Sequence, residues 1–289
     1  MTETLSEVSA MTTSELIVLL GKRRYRVDRD WCHWPADIEA GFVSQVAAQD
    51  DRIYVLQRAD PPVVVFDPDG GCRAAWGAGE ILDPHGIATA PDGRVLIADR
   101  DAHQVLIYDG DGNLLQSLGE RGRPAFGGPF NHPTQAAVGG DGEIYVADGY
   151  GNSAVHRFAA DGTWQSSWGG DGTGPGQFST PHAVTVLADG RVLVADREND
   201  RVQLFDRAGG YLGVWLGFYH PMDIWADDEW GVLVTDQVPR IHLLDPDGTP
   251  TGRCRGAITG AHGITGDPAG NLYLAELPPG RVTKLKRVE

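Results

Sequence analysis

A pattern of roughly 40 residues returns six times along this 289-residue chain, and nothing else in the sequence narrows the fold so far. PHGIATAPDGRVLIADRDAHQVLIYDGDGNLLQSLG (Pro84 to Gly119) aligns with PHAVTVLADGRVLVADRENDRVQLFDRAGGYLGVWLG (Pro181 to Gly217) with a one-residue gap. Further copies open at Val43, Pro133 and Pro221, and a last one at Ala261 stops short. Each copy reads as four short strands: a small-residue strand, a D-G or A-D-G type turn, an apolar strand ending in an acid, a polar turn, an alternating strand, another D-G turn, and an outer strand ending in Trp-Gly or Leu-Gly. Four-strand units of this length are propeller blades, so the chain is expected to be all-β, a six-bladed β-propeller.

The sixth copy lacks an outer strand, while Leu16 to Val27 (LIVLLGKRRYRV) precedes the first blade and belongs to none. An open ring would present unpaired strand edges, so this N-terminal strand is expected to complete the last blade. Residues 16–289 then form a single domain. Met1 to Glu15 is polar and is expected to be frayed.

Composition limits the partners. With 24 Lys+Arg against 40 Asp+Glu, the formal charge is -16, which disfavours phosphate backbones and hence a nucleic-acid scaffold. No segment has the length of a membrane span or the layout of a signal peptide. Cys32, Cys72 and Cys254 have no metal-type spacing and leave an odd thiol over, as suits a reducing cytoplasm. A cytoplasmic monomer is the expectation.

At the residue that opens the first strand, the six blades carry Ser44, His85, Thr134, His182, Met222 and His262. Histidine fills alternate blades, and in a closed six-blade ring alternate slots stand a third of a turn apart facing the axis. Inheritance by duplication would not explain its absence from every odd blade. Three imidazoles with an open fourth position are the set expected of a catalytic zinc, although other borderline metals accept three nitrogens. His132 and His220 each precede a proline and sit two places before their slots, and His33, His103, His156 and His242 fall elsewhere; all six are expected to be structural or on the surface.

The second strand ends in Asp99, Asp148, Asp196, Asp236 or Glu276 in five blades. Such repetition marks scaffold, a side chain accepting backbone N–H bonds at a turn. The next position varies: Arg58, Arg100, Gly149, Arg197, Gln237 and Leu277, with Tyr150 one place further on in the third blade. Arginines near the axis of an acidic protein invite an anionic group, since a guanidinium grips a carboxylate bidentately; a salt bridge to a neighbouring acid is the competing explanation.

DGYGNSAVHRF (Asp148 to Phe158), GPGQFSTPHAV (Gly174 to Val184) and ADRENDRVQLF (Ala195 to Phe205) together resemble the catalytic core of peptidyl-α-hydroxyglycine α-amidating lyase, a six-bladed propeller of the NHL-repeat class. The likeness runs from about Gly21 onward, strongest over blades two to four and weak in blade five. It implies a zinc held by His85, His182 and His262, a tyrosine working beside the metal at Tyr150, and two arginines at Arg58 and Arg197. It also implies a structural calcium bound by backbone carbonyls near Val46 and Ile87 and by an Asp directly after the third histidine. That residue here is Gly263, which puts the calcium in doubt. The disulfide cysteine after the tyrosine is Gly151 here.

The reading that follows is a metal-dependent lyase cleaving the C–N bond of an N-acyl-α-hydroxyglycine or related carbinolamide, on a small-molecule or peptide substrate bearing a carboxylate. Tyr150 would act as base, with Arg58 and Arg197 holding the carboxylate. Two alternatives stand beside it: a metal-dependent hydrolase or lactonase on the same propeller, and a non-enzymatic protein-interaction scaffold.

Overall fold

In a computed structural model that describes residues 15–256 and 259–288, the regular elements are strands, apart from one 3-10 turn at Arg197–Asn199. They group into six antiparallel sheets, five of them hydrogen-bonded in chain order and the sixth joining strands from both ends of the chain. Blade two shows the plan: Pro84–Thr89 at the axis, then Val95–Asp99, Gln104–Tyr108 and Leu114–Gly119 outermost. Second strands such as VLIAD and IYVAD are buried at every position, which is why they read as unbroken apolar runs rather than as an alternation. In blade two the turn between the first strands needs Gly93 at φ +92°, a conformation that side chains with a Cβ avoid.

The recurrent Trp-Gly and D-G elements meet between blades. Trp76 ends blade one and lies on Gly112 of blade two, where a Cβ would come within 2.5 Å of the indole; Trp168 lies on Gly209 in the same way, and Trp215 on Gly248. A bulky residue on one blade thus seats in the missing side chain of the next. At the axis each first strand packs on the first strand of the following blade, and Gly263–Gly266 of blade six packs on Val43–Gln49 of blade one, so the ring closes.

Closure involves two N-terminal strands, where the sequence pattern pointed to one. The segment turns at Gly21: Arg23–Asp28 pairs with Arg281–Val288 as the fourth strand of blade six, and Ile17–Leu20 adds a fifth outside it. Gly21 has φ +61°, so the run LIVLLGKRRYRV breaks into a hairpin there. Leu20 and Tyr25 are fully buried against Trp230, Ile241, Leu243 and Leu285. All but Glu15 of the segment expected to fray lies outside the described residues.

Removing residues 1–27 takes away those two side chains, worth about 4 kcal/mol together, and bares the edge of Arg281–Val288. The truncated chain is expected to aggregate or to lose its sharp thermal transition, whereas a chain starting at Glu15 keeps both strands and serves as the control. A truncation that melts as sharply as the control would show that the hairpin is not the clasp.

Candidate metal centre

Two of the three axial histidines sit at a recurrent bulge. The ladder between first and second strands skips a residue at Pro84/Gly86 and at Pro181/Ala183, on either side of His85 and His182. The same slip occurs at Val43/Gln45 and Pro221/Asp223 in odd blades. A bulged residue is released from the pleat and re-aimed, here toward the axis. His85, His182 and His262 are buried there, and one ligand nitrogen from each lies within 4.8 Å of the others.

The odd blades fix the tautomer. His85 Nδ1 lies 2.7 Å from the Thr134 carbonyl, His182 Nδ1 2.7 Å from that of Met222, and His262 Nδ1 2.6 Å from that of Ser44. A carbonyl only accepts, so each Nδ1 carries the proton and each Nε2 keeps its lone pair for the axis. The acceptors are the slot residues of the next blade round, which gives the non-histidine slots their purpose. Ser44 and Thr134 also donate their hydroxyls to Pro84 O and Pro181 O.

Three lone pairs thus converge in a buried space, and the Nε2 of His182 is buried with no partner among the described residues. Burial, first of all, holds the three imidazoles below the ordinary histidine range, His262 down to about 4. His85 and His182 are lowered further by their neighbours in the trio, and all three by charges from Arg58, Arg100 or Arg197. Neutral, pre-aimed imidazoles anchored at Nδ1 are the donor set a metal ion requires.

Tyr150, Arg58 and Arg197 surround this trio. The Tyr150 hydroxyl lies 3.2 Å from His85 Nε2 and accepts from Arg197 Nη1 at 3.1 Å. Arg197 spends its Nε on Glu198 at 2.8 Å. Arg58 Nε lies 3.4 Å from Asp83, whose other oxygen pairs with Arg100. The arginines therefore face the axis and are also paired with acids.

Sequence reasoning set Arg58 and Arg197 above Arg100 and passed over Asp83. The structure carries Arg100 to 5.5 Å from the centre of the Tyr150 ring, where Arg197 also lies at 5.3 Å. Asp83, one residue before the Pro-His pair, holds Arg58 and Arg100 together, and its carboxyl lies above the usual range because burial outweighs the two guanidinium charges. The recurrent acids hold scaffold: Asp99 accepts from Leu82 N and Asp83 N, Asp148 from Asn131 N, and Asp196 from Ser179 N. His156 and His242 bond Asp148 and Asp236, and His220 pairs with Glu198, so none of these histidines joins the axial set.

One residue beyond each slot stand Gln45, Gly86, Gln135, Ala183, Asp223 and Gly263. The alternation is again strict, polar in odd blades and small in even ones, and it was readable in the sequence. In the channel Asp223 accepts from Gln135 Nε2 at 2.8 Å, Gln45 Nε2 at 3.0 Å and Ile264 N at 2.8 Å. A Cβ on Gly263 would fall 1.5 Å from Gln45 Oε1, so a side chain there would require that glutamine to move. The oxygen donor implied after the third histidine is thus missing, and the carboxylate that takes its place spends both oxygens on N–H groups. This layer does not offer calcium the oxygens it needs.

Comparison with known proteins bears on the repeats and the fold. The NHL repeat family matches residues 82–108, 130–158 and 178–205. NHL repeat-containing protein 3 of Mus musculus is 37% identical over 235 residues, covering 74% of this chain and 63% of that protein. The chain therefore spans less than two thirds of that relative's length. Peptidyl-alpha-hydroxyglycine alpha-amidating lyase 1 of Drosophila melanogaster is 34% identical over 161 residues, 51% of this chain and 30% of that protein. A gluconolactonase from Xanthomonas campestris superposes with a TM-score of 0.71 over 93% of this chain and 91% of its own, at 17% identity, a likeness of fold alone. No helix among the described residues is long and apolar enough to cross a membrane. The chain carries NHL repeats in a six-bladed β-propeller, and its homologues include NHL repeat-containing protein 3 and peptidyl-α-hydroxyglycine α-amidating lyases.

Proposed function

We propose that the protein is a metal-dependent carbon–nitrogen lyase that splits an N-acyl-α-hydroxyglycine into an amide and glyoxylate. The observation that carries this reading is the convergence of three Nε2 lone pairs beside a tyrosine hydroxyl that an arginine also touches. Zinc is the ion that best suits three imidazoles with an open position, and it supplies Lewis acidity toward the substrate's α-hydroxyl.

The residues divide the remaining work. Tyr150 Oη takes the proton of the α-hydroxyl as the C–N bond breaks, and the nitrogen leaves with a proton as the amide. The carbinol carbon becomes the aldehyde of glyoxylate, so a proton passes from oxygen to nitrogen and no co-reactant is consumed. Arg197 Nη1, 3.1 Å from Tyr150 Oη, offers a counter-charge to that oxygen while its proton is away. Arg58, held by Asp83, binds the carboxylate and orients the carbinol carbon. Arg100, 5.5 Å from the centre of the Tyr150 ring, adds to the same positive field.

α-Hydroxyhippurate presents the hydroxyl and the carboxylate in one small molecule. Incubated with the zinc-loaded protein, it is expected to yield benzamide and glyoxylate in equal amounts, faster than in buffer. A fully metallated protein that releases no glyoxylate would overturn this reaction. A second reading, a protein-interaction scaffold, draws on the longer match to NHL repeat-containing protein 3, whose name carries no activity. It predicts that no axial residue affects any turnover.

A further inference from the structure

The ring above the three histidines is polarised. At the position after the second strand, blades one, two and four carry Arg58, Arg100 and Arg197, whereas blades five and six carry Gln237 and Leu277. Over those last two blades lies a cleft of about 230 Å³ that reaches His262. Met222, Ala261, Leu277 and Pro278 give it apolar walls, with Gln237 and Thr259 as polar groups at its edge. Its lining also includes Asp236, whose carboxylate is taken by Arg240 and His242. Among the described residues this lining holds no lysine or arginine.

We infer that this cleft is the acyl subsite, and that substrate lies across the axis with its carboxylate over blades one and two and an uncharged, apolar acyl group between blades five and six. The inference rests on the lyase reading for the identity of the reacting group, but the cleft's chemistry selects its occupant independently. Cavities of about 150 Å³ already take up benzene when their walls are apolar, so an aromatic acyl group fits the volume. A second anionic group would meet Asp236 there and find no unpaired lysine or arginine among the described lining residues. Leu277, standing where three other blades carry arginine, is the specificity-determining residue. It leaves the far side of the site uncharged, so a substrate with one carboxylate has a single orientation.

Binding of two unreactive analogues tests this without relying on turnover. Hippurate and N-acetylglycine share the carboxylate and the amide and differ in the acyl group. By calorimetry on the zinc-loaded full chain, hippurate is expected to bind on the order of tenfold more tightly or better, the scale for burying an aromatic ring. Leu277→Asn and Leu277→Arg are expected to cut that preference to about threefold or less, with melting curves confirming that each variant is folded. Equal binding of the two analogues, no detectable hippurate binding, or an undiminished preference in both folded variants would overturn the proposal. A hippurate preference that depends on Leu277, together with no cleavage of α-hydroxyhippurate, would leave the subsite standing and remove the lyase reaction instead.

Discussion

Replacing His182 with Ala is expected to strip the protein of its metal. Elemental analysis of protein purified without added metal should find about one zinc-like ion per wild-type chain and almost none in the variant. Loss of a ligand weakens binding by more than the tenfold to hundredfold that changes around a ligand cost. The Nδ1 anchor on Met222 O goes with it. Acid should do by titration what the substitution does by deletion. Because burial lowers the imidazole pKa values in the folded chain, protons favour the unfolded state. The stabilisation contributed by these neutral imidazoles is full above about 6.5, their unfolded value. It is lost as the pH falls toward the folded value of about 4 at His262, at about 1.4 kcal/mol per pH unit for each group within its window. Metal affinity should fall over the same range, since protons compete for the same Nε2 lone pairs. Full metal occupancy in the triple variant His85→Ala, His182→Ala, His262→Ala would refute the centre outright.

Tyr150→Phe is expected to lower turnover of α-hydroxyhippurate by about a hundredfold or more while metal content stays at the wild-type level. The substitution removes only an oxygen, which lies 3.2 Å from His85 Nε2 and 3.1 Å from Arg197 Nη1. General-base contributions usually fall in the range of about 10²–10⁴. The loss should appear in kcat, because the phenol oxygen acts as the bond breaks. Arg58→Ala should instead raise KM and lower kcat/KM further, since a carboxylate contact both binds and positions. A Tyr150→Phe protein that is fully metallated and as fast as wild type would exclude the tyrosine from proton transfer and leave the arginines to account for catalysis.

The ring and its three histidines were legible because both are periodic: the copies align without a structure, and alternate slots of a six-blade ring face one another by geometry. The recurrent acids were legible for the same reason. What stayed hidden depends on contacts between distant blades. Gln45 meets Asp223 across 178 positions of sequence, and the conflict between Gly263 and Gln45 exists only once the ring has closed. The pairing of Arg58 and Arg100 through Asp83 likewise joins two blades, so no single repeat displays it. The N-terminal hairpin was read as one strand because LIVLL and RRYRV form a continuous apolar-basic run, and only the φ of Gly21 reveals the reversal.

The anchors of the three imidazoles cross blade boundaries: His85 to Thr134 from blade two to three, His182 to Met222 from four to five, and His262 to Ser44 from six to one. An ion gripping all three rings therefore behaves as a keystone does in an arch. Parting any of these three seams tilts a ligand away, and seating the ion draws all three seams shut at once. The seam from blade six to blade one joins the C-terminal repeat to the first one, so a metal bound by the three histidines would favour ring closure. The chemistry at the axis and the mechanical integrity of the wall around it are then set by the same three bonds.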